Sequence, residues 1–485
     1  MIQRTAAPPV RWAQHGVAPV AAGAAALAAL VAIRIAGLHE GLLYPDGYQY
    51  LLMARGISEH LEPVVSLGTG DSLGPNADAA AKPLFPMLVA VLDVLGMSPL
   101  AAARAVTVAA ATAVPVLTGL LAVRLGTGRP AALLAALLAV LSPTAAYWFG
   151  FAGPDPLAPA LALGAALALI GRRPLAGGVL AGLCMLARPE YALAGLAAAI
   201  AGLASRRARQ ETARALAGAI LTVGVLLAAI RPPLSAPGTS TIAAALLVTA
   251  ISVAVLLSAD RIGKPGYAGI VGSVVSAVVL LDDGAWTSLA RRDWALVGLA
   301  VIGAALAAGR AAPRAKALRV LALSLPLIAA YWAKNPGLER YAAQLVPELA
   351  LVAAIGIGTL GRRSAVASLA AGSAFLCALI APARSVGVDA FRELAPGLER
   401  APAGPIVTAT PDAYALLFPG RTVKVMRPGA RGLVLMDGAA RALEPGLRAE
   451  GRVVLRIPVI TGFLRPDGIV DRRPAVLYRG RVVER

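Results

Sequence analysis

Five charged residues each stand where an apolar stretch gives out. Asp46 lies in Tyr44-Pro45-Asp46-Gly47-Tyr48-Gln49-Tyr50, and Asp155 in Gly153-Pro154-Asp155-Pro156. Lys82 precedes Pro83, Arg188 lies in Ala187-Arg188-Pro189-Glu190, and Arg340 in Glu339-Arg340-Tyr341. An acid that is ionised at neutral pH suits removal of a proton from a hydroxyl, and a positioned general base typically contributes roughly 10²–10⁴-fold. A second acid suits holding an acceptor, orienting a catalytic group or binding a divalent metal. Lysine and arginine suit gripping a phosphate and stabilising it as it departs. Each residue also has a plain structural reading. Asp46 and Asp155 are placed as helix caps would be, the basic residues as side chains that reach toward headgroups, and Glu190 as a solvated partner of Arg188.

The elements that must position these residues are those of a membrane protein. Of 485 residues, 58% are hydrophobic and 15% charged, against roughly 25% charged in soluble domains. The apolar blocks are rich in Ala, Leu, Val and Gly, which suits close helix packing in lipid, and they are too long for the strands of an outer-membrane barrel. The net charge of +19 collects in short loops between apolar spans, as the positive-inside rule expects, so it does not imply nucleic acid. Cys184 and Cys377 sit inside apolar runs as packing residues, and three His without clustered Cys argue against zinc. The first apolar run, 17–38, reads as a retained signal anchor rather than a cleaved leader.

Loop charge sets the direction of the spans. The N-terminus is expected in the cytoplasm, followed by a span at 17–38 and an outer loop, 39–98, that carries Asp46. That loop holds an interfacial helix at 47–61 and a re-entrant or interfacial helix at 83–97. Further spans are expected at 99–124, 131–150, 156–171, 174–187, 190–204, 213–230, 240–258, 267–282, 294–309, 318–333, 343–360 and 365–382. The expected fold class is an α-helical polytopic membrane protein of about thirteen helices, with a small C-terminal extracytoplasmic α/β domain. Residues 1–385 form the membrane domain and 386–485 the tail. In the tail the apolar runs shorten to strand length at 406–409, 422–426, 433–436, 453–459 and 475–478, with a helix at 411–418. This topology puts all five charged residues on one outer face. Glu348 is expected to face a cavity or the interface, because an acid deep in lipid costs about 2.5–3.5 kcal/mol.

Taken in order, these segments resemble the GT-C superfamily of integral-membrane glycosyltransferases, and within it bacterial relatives of protein O-mannosyltransferases and lipid A aminoarabinose transferases. The matching residues are Pro45 to Arg55, Lys82-Pro83-Leu84-Phe85-Pro86, Gly153-Pro154-Asp155-Pro156-Leu157, Ala187-Arg188-Pro189-Glu190, Glu339-Arg340-Tyr341 with Pro347, and Pro405 to Thr410 at the start of the tail. The resemblance implies a GT-C-like fold and inverting transfer of a sugar from a polyprenyl-phosphate donor to a hydroxyl of a glycan, lipid or protein acceptor. The reaction would run at the outer face of a bacterial inner membrane. It also implies Asp46 as catalytic base, Asp155 as its assistant and Lys82 on the donor phosphate. The reading of the residues adds Arg188 and Arg340 to the phosphate set, and Tyr48, Tyr50, Glu190 and Tyr341 as substrate contacts. Gly47 stands where many relatives carry a second acid, so a divalent cation, Mg or Mn, stays open as a cofactor. No nucleotide-binding glycine fingerprint or Walker motif is present, which agrees with a lipid-linked donor. Mannose and arabinose are the candidate sugars. Three other readings compete: a transporter or flippase of lipid-linked sugars, which needs charged or broken helices near mid-membrane; an O-antigen-ligase-like enzyme; and a scaffold whose tail binds a partner.

Overall fold

The computed structural model describes residues 46–63, 65–66, 72–73, 82–206, 208–230, 239–280, 285–334, 339–361, 390–418, 420–460, 464–465, 468–469 and 474–484. The expected spans at 17–38 and 365–382 lie outside the described residues. Within them the chain is mostly helical, with a small sheet near its end. Helices at Pro99–Arg124, Leu157–Ile170, Pro174–Ala187, Tyr191–Ala204, Arg209–Ile230, Thr239–Ser258, Lys264–Leu280, Trp294–Ala308, Ala311–Lys334 and Val346–Ile357 follow the apolar runs. Three helical stretches, Pro99–Arg124, Arg209–Ala229 and Arg340–Leu360, are long and apolar enough to cross a membrane by length and composition. With the shorter apolar helices beside them, they make this a multi-pass membrane protein.

One expectation is corrected. The run 131–150 is not one span but two helices, Arg129–Leu141 and Pro143–Trp148. Pro143 has no N–H to donate and disfavours helical geometry at the residue before it. Ser142 therefore leaves the first helix and caps the second, accepting a hydrogen bond from the Ala145 amide at 3.0 Å.

Two packing arrangements place the charged residues. The helix Asp46–His60 lies against the short helix Leu84–Val94. Ser58 donates to Asp93 Oδ2 at 3.0 Å, and Tyr50 meets Phe85 edge-on at 5.6 Å. The helical run that begins at Arg340 is held by a glycine crossing. A Cβ on Gly356 would collide with the backbone of Gly303 in the helix Trp294–Ala308. Without side chains the two backbones touch, as small-residue crossings in membranes allow. That contact sets the depth of the run and with it the position of Arg340.

The tail forms a five-stranded mixed sheet from β1 (Ile406–Thr408), β2 (Val423–Val425), β3 (Arg431–Met436), β4 (Leu447–Ile460) and β5 (Pro474–Glu484), in the order β2-β1-β3-β5-β4. β1 runs parallel to β2 and β3, and β5 is antiparallel to β3 and β4. The helix Pro411–Leu417 connects β1 to β2. β4 and β5 exceed their apolar runs because the ladder continues through polar residues, where Arg481 Nε pairs with Glu450 Oε2 at 2.7 Å. The tail touches the membrane body at the Asp46 helix, where Gln49 Nε2 donates to Asp412 Oδ2 at 3.2 Å.

Candidate active site

Asp46 opens its helix, so its carboxylate stands at the positive end of the helix dipole. Arg340 reaches it from a run 294 residues later and donates from Nη1 to Asp46 Oδ2 at 2.7 Å. The same guanidinium donates from Nε to Asp155 Oδ2 at 2.8 Å. One fully charged fork thus bridges the two acids. Asp155 is buried to 1% exposure. Its other oxygen, Oδ1, accepts from Arg188 Nη2 and from Gln344 Nε2, the latter at 3.4 Å. Glu190 Oε1 lies 3.9 Å from Arg188 Nη1. Lys82, also buried, is close enough for its charge to act on Asp46.

The electrostatics follow from this packing. Burial by itself would raise the Asp46 carboxyl. The charge of Arg340, then those of Lys82 and Arg188, together with the Arg340 hydrogen bond, overcome it and hold the group at about 2. Tyr50, one helical turn on, is pushed well above its ordinary value by burial and then by the charge of Asp46, so it stays protonated. Removing several charges from water costs more than their attraction usually returns unless the geometry is tight. A fully buried arginine bridged through Asp155 to a second arginine is therefore a costly arrangement, of the kind found where charge performs chemistry.

The structure brings Asp46, Asp155, Arg188 and Arg340 into direct contact, with Lys82 and Glu190 beside them. Tyr341 joins through its ring, which lies 5.5 Å from the Arg188 guanidinium and stacks on Tyr331 at 4.8 Å and 2°. Tyr48 and Tyr50 are both buried, and Tyr50 packs on Phe85. The sequence reading left out Gln344, gave Tyr331 only a place in an aromatic belt at the interface, and placed Glu348 without a partner. The signal for Gln344 and Glu348 was present: Arg340, Gln344 and Glu348 recur every four residues, the spacing of one helix face.

A divalent cation does not fit the acids as they stand. Asp46 Oδ2 and both Asp155 oxygens already face guanidinium groups, and a dication there would lie within a few ångströms of both positive charges. Among the described residues no three His, Cys, Asp or Glu side chains gather as a candidate metal site.

No family model matches the chain, and no curated protein does. Among solved structures, those to which the chain is similar include the following three. One is the oligosaccharyltransferase of Archaeoglobus fulgidus in complex with Zn and sulfate, at 14% identity and a TM-score of 0.49, with 82% of this chain and 62% of that one covered. The second is the arabinofuranosyltransferase AftD from Mycobacteria, at 15% and 0.44, with 97% and 40% covered. The third is ArnT from Cupriavidus metallidurans bound to undecaprenyl phosphate, at 14% and 0.41, with 96% and 98% covered. The chain thus spans less than two thirds of the first two structures. These likenesses are distant, and the reading of function rests on the geometry of the charged cluster.

Proposed function

We propose that the protein is an inverting glycosyltransferase that moves a sugar from a polyprenyl-phosphate donor to an acceptor hydroxyl at the outer face of a bacterial inner membrane. The observation that carries this reading is the Arg340 fork between Asp46 and Asp155, buried beside Arg188 and Lys82. It places a potential base next to three cations, the combination that displacement of a phosphate requires. Asp46 takes the proton of the acceptor hydroxyl. The acceptor oxygen forms a bond to the anomeric carbon from the face opposite the phosphate. The bond from that carbon to the phosphate oxygen breaks, and its electron pair leaves with the phosphate, where Lys82, Arg188 and Arg340 stabilise the growing charge. Asp155 orients Arg188 and Arg340 for this task.

Paired with Arg340, Asp46 is a weak base. A donor phosphate that draws on Arg340 weakens that pairing, so the base strengthens as the donor arrives. This coupling favours donor binding before acceptor deprotonation. The N-terminus lies in the cytoplasm and the 386–485 domain outside, next to the site through Gln49 and Asp412. Mannose and arabinose are the sugars to try first.

The test is sugar transfer by purified protein in nanodiscs, supplied with a panel of polyprenyl-phosphate sugars, and comparison with Asp46→Asn. Asparagine keeps an oxygen for Arg340 but cannot accept the proton, so turnover should fall roughly 10²–10⁴-fold with donor affinity kept. Equal turnover by the variant would remove Asp46 as the base. Binding without transfer to any acceptor, together with movement of donor across a bilayer, would favour the transporter reading.

A further inference from the structure

Arg340, Gln344 and Glu348 follow one another at four-residue intervals from the charged cluster into the apolar body, through a 3₁₀ turn at Ala343–Leu345. At about 1.5 Å of rise per α-helical residue and about 2 Å in the 3₁₀ turn, Glu348 lies about 13 Å along the axis from Arg340. An acid inside an apolar helical body is a functional candidate by default. Its neighbours sharpen the case. Glu348 lies within electrostatic reach of Tyr191 and Tyr331, and Tyr331 in turn within reach of Arg188.

Six side-chain atoms in this cluster are sealed from solvent and have no hydrogen-bond partner among the described residues. They are Glu348 Oε2, Gln344 Oε1, Nε and Nη1 of Arg188, and the hydroxyls of Tyr191 and Tyr331. Arg188, Gln344, Tyr191 and Tyr331 are all at least nine-tenths buried. Some nine in ten buried polar groups find a partner, protein or ordered water, in folded proteins. The atoms gathered here therefore call for polar partners that the described residues do not supply.

The kinds of atom define that ligand. A phosphate asks only for donors, and the Glu348 and Gln344 oxygens would repel it. A prenyl chain asks for no polar atoms at all. A sugar ring carries hydroxyls that both donate and accept, which suits two acceptor oxygens, two guanidinium donors and two hydroxyls that can do either.

Building on the proposed glycosyltransfer, we infer that this cluster holds the sugar ring of the donor while Arg188 and Arg340 hold its phosphate. Glu348 is the specificity-determining residue and accepts hydrogen bonds from two neighbouring ring hydroxyls. The cluster thus selects donors by hydroxyl pattern, and a donor lacking either of those hydroxyls is discriminated against.

The experiment compares binding of undecaprenyl phosphate, bare and linked to mannose or arabinose, to the full chain in nanodiscs. The proteins are wild type, Glu348→Gln, Glu348→Leu and Tyr331→Phe. Wild type should bind one sugar-linked form more tightly than bare undecaprenyl phosphate. Glu348→Leu should weaken that form by about ten- to a hundredfold, the usual cost of stranding hydrogen bonds to a charged group, with Glu348→Gln between. Affinity for bare undecaprenyl phosphate should stay within about twofold, since a lost sugar contact leaves phosphate binding alone. Tyr331→Phe deletes one oxygen while preserving the ring stacked on Tyr341, so it serves even if the Glu348 variants do not assemble. It should show the same selective loss. If these variants weaken bare and sugar-linked lipid equally, or neither, the cluster does not hold the sugar, and the glycosyltransferase reading survives. If wild type binds no polyprenyl phosphate of either kind, both readings fall.

Discussion

Replacing Arg340 by glutamine isolates what the fork does. In the native protein Arg340 makes hydrogen bonds of 2.7 and 2.8 Å to two acids that are mostly hidden from water. Removing one partner of a buried pair typically costs about 3–5 kcal/mol, because the other charge is left unpaired. The loss depends on pH. Asp46 is held at about 2, below its ordinary 3.8, so in the native protein it contributes stability above pH 3.8 that is lost as pH falls through 2. At about 1.4 kcal/mol per pH unit, that contribution is about 2.5 kcal/mol. In Arg340→Gln, burial, the largest influence on Asp46, is opposed mainly by Lys82 and Arg188, and the carboxyl rises above its ordinary value. The folded variant then binds more protons than the unfolded chain at mildly acidic pH, so acid stabilises it, whereas acid does not stabilise the wild type. Thermal unfolding in nanodiscs from pH 4 to 8, followed by tryptophan fluorescence, measures this directly. The variant should melt well below wild type at pH 7 and recover part of the difference toward pH 4. Parallel curves, with a constant gap at every pH, would refute the reasoning, because the loss would then be packing and not charge.

Three further outcomes are expected. Gly356→Val drives a side chain into the Gly303 backbone and should lower stability by about 3 kcal/mol, the upper range for overpacking, while Gly224→Ala, with open space at its Cβ, should be neutral or stabilising in the same melts. Asp412→Ala removes the acceptor of Gln49, and hydrogen exchange should quicken in both Pro411–Leu417 and the start of the Asp46 helix; exchange unchanged in both would show that the contact does not hold the tail. Sugar transfer should persist in excess EDTA, since guanidinium groups face the acid oxygens that a cation would need; loss of turnover restored by Mg or Mn would show that the acids rearrange to bind one.

The local features of this protein were legible in its sequence. Helix positions follow from apolar runs, because burying an apolar stretch in lipid obliges it to pair its own backbone groups. The tail's short strands follow from apolar runs cut by Gly and Pro, and the Asp46 helix from the pattern of residues behind it. The break at Ser142–Pro143 was also written there, in the proline. What no local rule contains is contact across distance. Asp46 and Arg340 meet across 294 residues, and Gly303 and Gly356 bring two helices to backbone contact across 53. The sequence marked each charged residue as standing where an apolar stretch gives out. Only the packed chain decided that one arginine serves both acids, that a second arginine and a glutamine complete Asp155, and that Glu348 extends the same run inward. Such partners are chosen by packing and by the need of buried charges to be paired, and both are properties of the assembled fold.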